Sequence, residues 1–262
     1  MALYWPSMNN SISFHPSASI VIKTYDDSTT SRRRPSPTLK ELLATTLQAI
    51  DRQTLTPHEM VVVDSSVGDG IANVIHDHVP ATEVPIRRVP LAQETFSYPR
   101  ALNLGVQHAE GDVVVSLSGD AIPANEAWLE RLVAPLANPE VAGAYSRQLA
   151  RPGMPLSWGE RFRLWWRYRD RTTTLRYTDH LFSNASSAFR RELALRIPFD
   201  ETLVEVEDYD WARKVQSQGY AIAYVGDSEV FHSHPSSTLR TVWRMFYYLY
   251  LRMRADACLD SR

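Results

Sequence analysis

The sequence predicts an α/β fold: a mostly parallel open sheet flanked by helices, with a helical C-terminal extension. Three observations carry that expectation. The short runs Ala18–Thr24 (ASIVIKT), Met60–Asp64 (MVVVD) and Asp112–Leu117 (DVVVSL) are apolar and β-branched, the pattern of strands covered on both faces. Between the first two, Leu39, Leu42, Leu43, Leu47 and Ile50 recur at helical spacing, and strand–helix–strand makes a parallel unit. With 262 residues, 44% apolar and 22% charged, the chain has the balance of a folded protein of one large domain or two small ones.

The elements follow in order. After the strand at 18–24, the helix over 38–52 and the strand at 60–64, a helix is expected over 71–78 and a short strand over 86–89. A helix over 99–109 has Pro99 in its first turn, where the missing N–H costs nothing. The strand at 112–117 precedes a helix over 124–136 carrying Trp128, Leu129, Leu132 and Val133. From Tyr145 the texture changes. Residues 147–171 hold seven arginines against Glu160 and Asp170, interleaved with Trp158, Phe162, Trp165, Trp166 and Tyr168. A helix over about 208–219, strands over 220–225 and around 230–232, and a helical aromatic and basic tail over 239–254 complete the chain. No internal repeat or low-complexity linker divides it.

Composition excludes several classes. A formal net charge of −2 argues against a globally basic nucleic-acid binder, so no nucleic-acid partner is expected. The single cysteine, Cys258, leaves no internal disulfide framework and no cysteine-built zinc site, and suits a reducing compartment. No apolar run approaches the ~18–20 residues that span a bilayer. Residues 1–14 lack a positive segment followed by an apolar one, so a cytoplasmic protein is expected. Only Lys23, Lys40 and Lys214 among 28 basic residues are lysines. Arginine grips phosphate in a bidentate way, although genomic codon bias produces the same excess.

Ligands of open α/β sheets bind beyond the carboxyl ends of the strands. Those ends carry Lys23-Thr24-Tyr25-Asp26-Asp27, Asp64-Ser65-Ser66 and Ser118-Gly119-Asp120. One such end is a turn or a helix cap; three in succession point to a binding site. Neither G-x-G-x-x-G after the first strand nor G-x-x-x-x-G-K-[ST] occurs, so the acidic edge suggests a metal-bound nucleoside diphosphate held by carboxylates. Glu205, Glu207, Asp208 and Asp210 crowd the start of one helix, more acids than capping requires, and one is a candidate general base. His232 and His234 lie at i, i+2, on one side of an extended chain, and with a carboxylate suit a manganese- or magnesium-like ion. His76-Asp77-His78 reads as a solvated helix surface.

The ordered set SIVIKTYDD, LKELLATTLQAIDRQ, EMVVVDSSVGDG, FSYPRALNLGVQHAEGDVVVSLSGDAIPANEAWLERL and FSNASSAFRRELALRIPFDETLVEVEDYDWARKVQSQGYAIAYVGDSEVFHSH resembles family 2 glycosyltransferases of the GT-A fold, in the style of their rhamnosyltransferase-like branch. The likeness runs from about Ala18 to His234. It implies an inverting transfer of a sugar from a nucleoside-diphosphate donor to a glycan, lipid-linked or small-molecule acceptor. It divides the chain into an N-terminal extension (1–17), a glycosyltransferase domain (18–238, nucleotide half 18–122 and acceptor half 123–238) and a C-terminal amphipathic helix (239–262).

By position, the resemblance places Thr24, Tyr25, Asp64, Arg100 and Asn103 around the nucleotide. It sets Gly119, Arg147 and Gln148 near the donor sugar or diphosphate. Asp120, as the last acid of the family's D-x-D motif, would bind Mn2+ or Mg2+ with His234 or His232, His234 being preferred. Asp208 would be the general base, with Glu207 and Trp211 beside the acceptor. Three departures stand out: Ser118 replaces the first acid of D-x-D, Lys23 replaces a usual proline, and residues 26–37 form a longer, more basic turn, either a lid over phosphates or a surface loop. The rivals are a transferase fold that has lost activity and only binds nucleotide or carbohydrate, with Ser118 as its support, and a nucleotidyltransferase. The 239–254 helix suits either anionic lipid or packing on the domain or a second subunit. Segment 147–171 suits either an acceptor phosphate or a cover for the sheet.

Overall fold

The computed structural model describes residues 16–25, 37–203, 205–234 and 236–257, with side chains to residue 253. The 26–36 turn, most of the N-terminal extension and Cys258 lie outside the described residues. In chain order the elements are β1 (Ala18–Thr24), α1 (Leu39–Asp51), β2 (Glu59–Asp64), α2 (Gly70–His78), β3 (Ile86–Pro90), α3 (Tyr98–His108), β4 (Val113–Ser118), β5 (Ile122–Pro123), α4 (Trp128–Val133), β6 (Val141–Leu149), α5 (Trp158–Tyr168), β7 (Thr174–Arg176), β8 (Ser186–Arg190), α6 (Arg191–Arg196), α7 (Glu207–Gln216), β9 (Ala221–Phe231) and α8 (Thr238–Ala257).

One sheet runs in the order β3-β2-β1-β4-β8-β6-β9-β5, with β7 on β9. Strands β1, β2, β3, β4, β6 and β9 point one way, and β5, β7 and β8 run against them. All seven residues of β1 are buried, as its unbroken apolar run predicts. Helices α1, α2 and α4 cover one face through Leu43, Leu47, Ile71 and Trp128. Helices α3, α5, α6 and α7 cover the other through Leu102, Leu164, Leu193 and Trp211.

Local chemistry sets the boundaries. Helix α1 starts at a capping box, in which Thr38 accepts from the Glu41 N–H and the Glu41 carboxylate accepts from the Thr38 N–H at 2.7 Å. The expected 124–136 helix shrinks to α4, because Ile122–Pro123 pairs with β9 and Pro135 sits in a 3-10 turn over Ala134–Ala137. The two strands expected at 220–225 and 230–232 are one strand, β9, whose register against β6 slips between Ser146 and Arg147. Gly226 occupies that slip, where a Cβ would lie 2.5 Å from the Arg171 carbonyl carbon.

Register assembles the site. Lys23 lies opposite Ser118, and Thr24 opposite Asp64, so the polar ends of β1, β2 and β4 share one edge at the reversal of strand order. Phe231 pairs with Ile122, so the chain leaving β9 enters the turn that carries Asp120.

Candidate active site

Asp120 sits in the turn after β4, with the Ser118 hydroxyl donating to its Oδ1 at 2.8 Å. His232 Nε2 lies 3.5 Å from Oδ1 and His234 Nδ1 3.8 Å from Oδ2. The two imidazole centroids are 4.7 Å apart at 84°. One ligand atom from each of the three residues falls within 4.8 Å of the others. These separations are long for hydrogen bonds and match two ligands of a common ion with bonds of about 2.1 Å.

Protonation favours the same reading. Burial and the neighbouring His232 push His234 down to about 4, so its ring is neutral near pH 7. Burial works against ionising Asp120, yet at acid pH, where the imidazoles carry charge, they and the Ser118 hydroxyl hold its carboxyl well below the usual range. Gln148 orients the triad. Its amide donates to Ser183 Oγ at 2.9 Å, which turns its carbonyl toward His232 Nδ1 at 3.1 Å. With Nδ1–H donated there, His232 Nε2 faces Asp120 with its lone pair. Mixed nitrogen and oxygen donors with a fixed tautomer fit a divalent cation.

Beside this triad lie two carboxylates at the start of α7. Glu207 is buried and accepts from the Asn184 amide at 3.3 Å; burial and the adjacent Asp208 push it up to about 7. Asp208 is half-buried and also raised, by burial, against the pull of Arg167 and Arg252. Its Oδ1 accepts from the Tyr209 N–H at 2.7 Å. Lys23 is buried among these acids, its ammonium donating to the Asn184 carbonyl at 2.8 Å and to Ser116 Oγ. Burial lowers it to about 8 against the attraction of Glu207, Asp208 and Asp120. The other acids of the cluster separate from the pair: Asp210 is held by Arg213 at 2.9 Å and Lys214 at 2.6 Å, and Glu205 is exposed at φ 81°.

Several expected contacts are redirected. Trp211 is fully buried among Phe182, Phe189 and Phe199, its indole N–H donating to the Ile197 carbonyl at 3.0 Å, so it packs in the core. Asn103 spends its amide on Phe199 and Glu201, anchoring the loop after α6. Arg147 donates to the Tyr168 carbonyl at 2.8 Å and to Glu229 at 2.7 Å, tying β6 to β9 and to the end of α5. The Gly119 N–H is taken by the Lys23 carbonyl at 2.9 Å, and a Cβ there would sit 2.8 Å from that oxygen. The missing side chain is what permits this close backbone approach. Asp64 accepts from Thr24, from the Ser66 N–H and hydroxyl, and from Arg88 at 2.8 Å; its side chain is wholly covered, so Arg88 and not Asp64 meets solvent.

Tyr25 stands partly exposed at the end of β1 and stacks on Phe96 at 4.5 Å, with Tyr98 edge-on to Phe96 at 5.2 Å. Arg100 is exposed in the first turn of α3. This edge offers aromatic faces and guanidinium groups, and Tyr98 is near enough to feel the Asp120 charge.

A profile of the family described as Glycosyl transferase family 2 matches residues 19–197. The chain belongs to that family. Among its relatives, the O-antigen chain rhamnosyltransferase RfbN of Salmonella typhimurium is 27% identical over 199 residues, 72% of this chain and 61% of that protein. WbaN of Salmonella anatum, with the same description, is 26% identical over 211 residues, 76% and 64% of the two chains. The chain thus spans less than two thirds of the length of these relatives.

Among solved structures, the mannosyltransferase PcManGT from Pyrobaculum calidifontis, in complex with GDP-Man and Mn2+, superposes with a TM-score of 0.65 at 23% identity, over 85% of this chain and 58% of that one. S. aureus TarS 1-349 in complex with UDP gives 0.57 at 16% identity, over 82% and 60%. These likenesses show the GT-A fold.

Sequence reasoning missed Asn184, Ser183, Arg88, Phe96 and the α8 residues Tyr248 and Arg252. The first two lie in the loop before β8, which has no periodic signal. Arg88 is an ordinary basic residue on a short strand until β2 and β3 pair beside Asp64.

Proposed function

We propose that this family 2 chain is an inverting transferase, moving a hexosyl-type sugar from a nucleoside-diphosphate donor to an acceptor hydroxyl. The observation that carries the reading is the convergence at one sheet edge of the Asp120–His232–His234 triad and a buried carboxylate pair of raised pKa, Glu207 and Asp208. Asp120, His232 and His234 would hold a divalent cation, Mn2+ or Mg2+. When bound, such an ion supplies positive charge where the departing diphosphate gathers negative charge.

The remaining roles belong to the chain. Tyr25 and Phe96 present faces to a nucleobase, and Arg88 and Arg100 offer donors around it. Asp208 takes the proton from the acceptor hydroxyl as that oxygen bonds to the anomeric carbon. The bond from that carbon to the diphosphate breaks, its electron pair leaving with the nucleoside diphosphate, and configuration inverts in one displacement. Burial keeps Asp208 raised toward the range in which a base accepts a proton, and the Asp208 charge in turn raises the buried Glu207 beside it. Residues 18–122 then act as the donor half and 123–238 as the acceptor half. Names of the relatives and neighbours support the class, since they include rhamnosyl transfer and a GDP-sugar complex with Mn2+.

The test is calorimetric binding of UDP, dTDP and GDP with and without Mn2+, followed by transfer assays on wild type and Asp208→Asn. One nucleotide should bind in a Mn2+-dependent way. Asp208→Asn should lose at least 100-fold in transfer with nucleotide binding unchanged. Equal loss of both, or no binding of any of the three by folded wild type, overturns the proposal.

A further inference from the structure

Helices α5 and α8 pack against each other: Gly159 leaves room for Thr238, and Arg244 reaches Glu160 at 3.4 Å. Each turns one stripe outward, and both stripes are aromatic. Trp158 is 84% exposed, Trp165 57% and Trp166 61% on α5, and Trp243 65% and Phe246 67% on α8. Rings this open expose on the order of 100 Å² each, together about 500 Å², the size of the largest apolar patch on a soluble monomer, which is often a functional one.

The charge of the same surface selects an occupant. Among the described side chains of the two helices the one carboxylate, Glu160, is buried and paired with Arg163 and Arg244, while Arg167 and Arg252 turn inward to the Phe182 carbonyl and the Tyr209 ring. Arg161 and Arg240 stand exposed. A second copy docking about a two-fold axis would set this positive patch on itself. An anionic bilayer would meet both the tryptophans and the arginines. No helix among the described residues is long and apolar enough to cross a membrane, and α8, about 30 Å long, has the amphipathic character to lie on one.

The inner side of α8 points to the same arrangement. Arg252 covers the Tyr209 ring at 4.9 Å and acts on Asp208, and Tyr248 feels Asp208 and Glu205. The helix therefore separates the carboxylate pair from whatever covers its outer face.

We infer that the outer face of α5 and α8 docks on an anionic lipid bilayer, holding the acceptor side of the site at the membrane surface. The docking is independent of the transfer reaction and is read without it.

The experiment is flotation of the full chain with vesicles of phosphatidylcholine alone or with 30% phosphatidylglycerol, at low and high salt, with tryptophan emission recorded. Wild type should float with the anionic vesicles at least tenfold more than with the neutral ones, lose binding at high salt and shift its emission to the blue. Trp243→Ser/Phe246→Ser and Arg161→Glu/Arg240→Glu should each lower partitioning at least tenfold, with circular dichroism and nucleotide binding unchanged. Flotation unaffected by either pair, no flotation of wild type, or sedimentation as a dimer that the Trp243 pair dissociates without any lipid binding would each overturn it.

Discussion

Replacing Glu207 by glutamine removes a buried negative charge while keeping the oxygen that accepts from Asn184. The side chain is 6% exposed, next to Asp208, and its pKa rises from the ordinary 4.5 to about 7. A gap that wide, at about 1.4 kcal/mol per pH unit, makes about 3 kcal/mol. The native state holds the proton more tightly than the unfolded chain does. Its stabilising contribution is therefore whole below pH 4.5 and lost as pH rises to and through about 7. Glutamine carries no such dependence. Urea unfolding of wild type and Glu207→Gln at pH 5 and pH 8.5 should show the variant gaining about 2–3 kcal/mol relative to wild type across that interval. Lys23, lowered to about 8 against the attraction of Glu207, titrates near the top of this interval, and making the comparison in a Lys23→Gln background removes its share. Parallel stabilities at the two pH values would mean that Glu207 is ionised throughout, and the account of a buried pair of raised pKa would fail.

Three further outcomes follow from the geometry. Gln148→Leu removes the carbonyl that fixes the His232 tautomer, and should weaken Mn2+ binding about 10–100-fold by titration while leaving metal-free nucleotide binding intact. Trp211→Ala empties the centre of an aromatic core, and should cost about 3–5 kcal/mol in chemical denaturation; a cost near zero would return Trp211 to the acceptor side. A base raised by burial must lose its proton before it can act, so kcat should climb with pH along a limb displaced above the ordinary aspartate range. A limb at the ordinary position would remove Asp208 from that role.

The chain order of strands and helices was legible because burial on both faces writes continuous β-branched runs, and helix packing writes a 3.6-residue period. Asp120 and His232-Ser233-His234 were legible as polar groups at the ends of such strands. Strands β5, β6, β7 and β8 escaped, since they are short or carry mixed residues such as Ser186-Ser187 and Arg147-Gln148 whose pairing is decided by partners far away in sequence. Segment 147–171 was visible as basic and aromatic, yet only its packing separates buried Leu164 and Tyr168 from exposed Trp165 and Trp166.

Residue type alone, then, determined the α/β class, the acidic strand edge and the candidate base and metal groups, because those depend on local composition and spacing. Tertiary structure decided which of the acids are free to act. Asp210 is tied to Arg213 and Lys214 within its own helix, whereas Glu207 and Asp208 face Asn184, Arg167 and Arg252, brought from distant parts of the chain. It also withdrew Trp211, Asn103 and Arg147 into packing and ion pairs. A side chain's chemistry is set by its neighbours' charge and by its access to water, and both are properties of the folded arrangement.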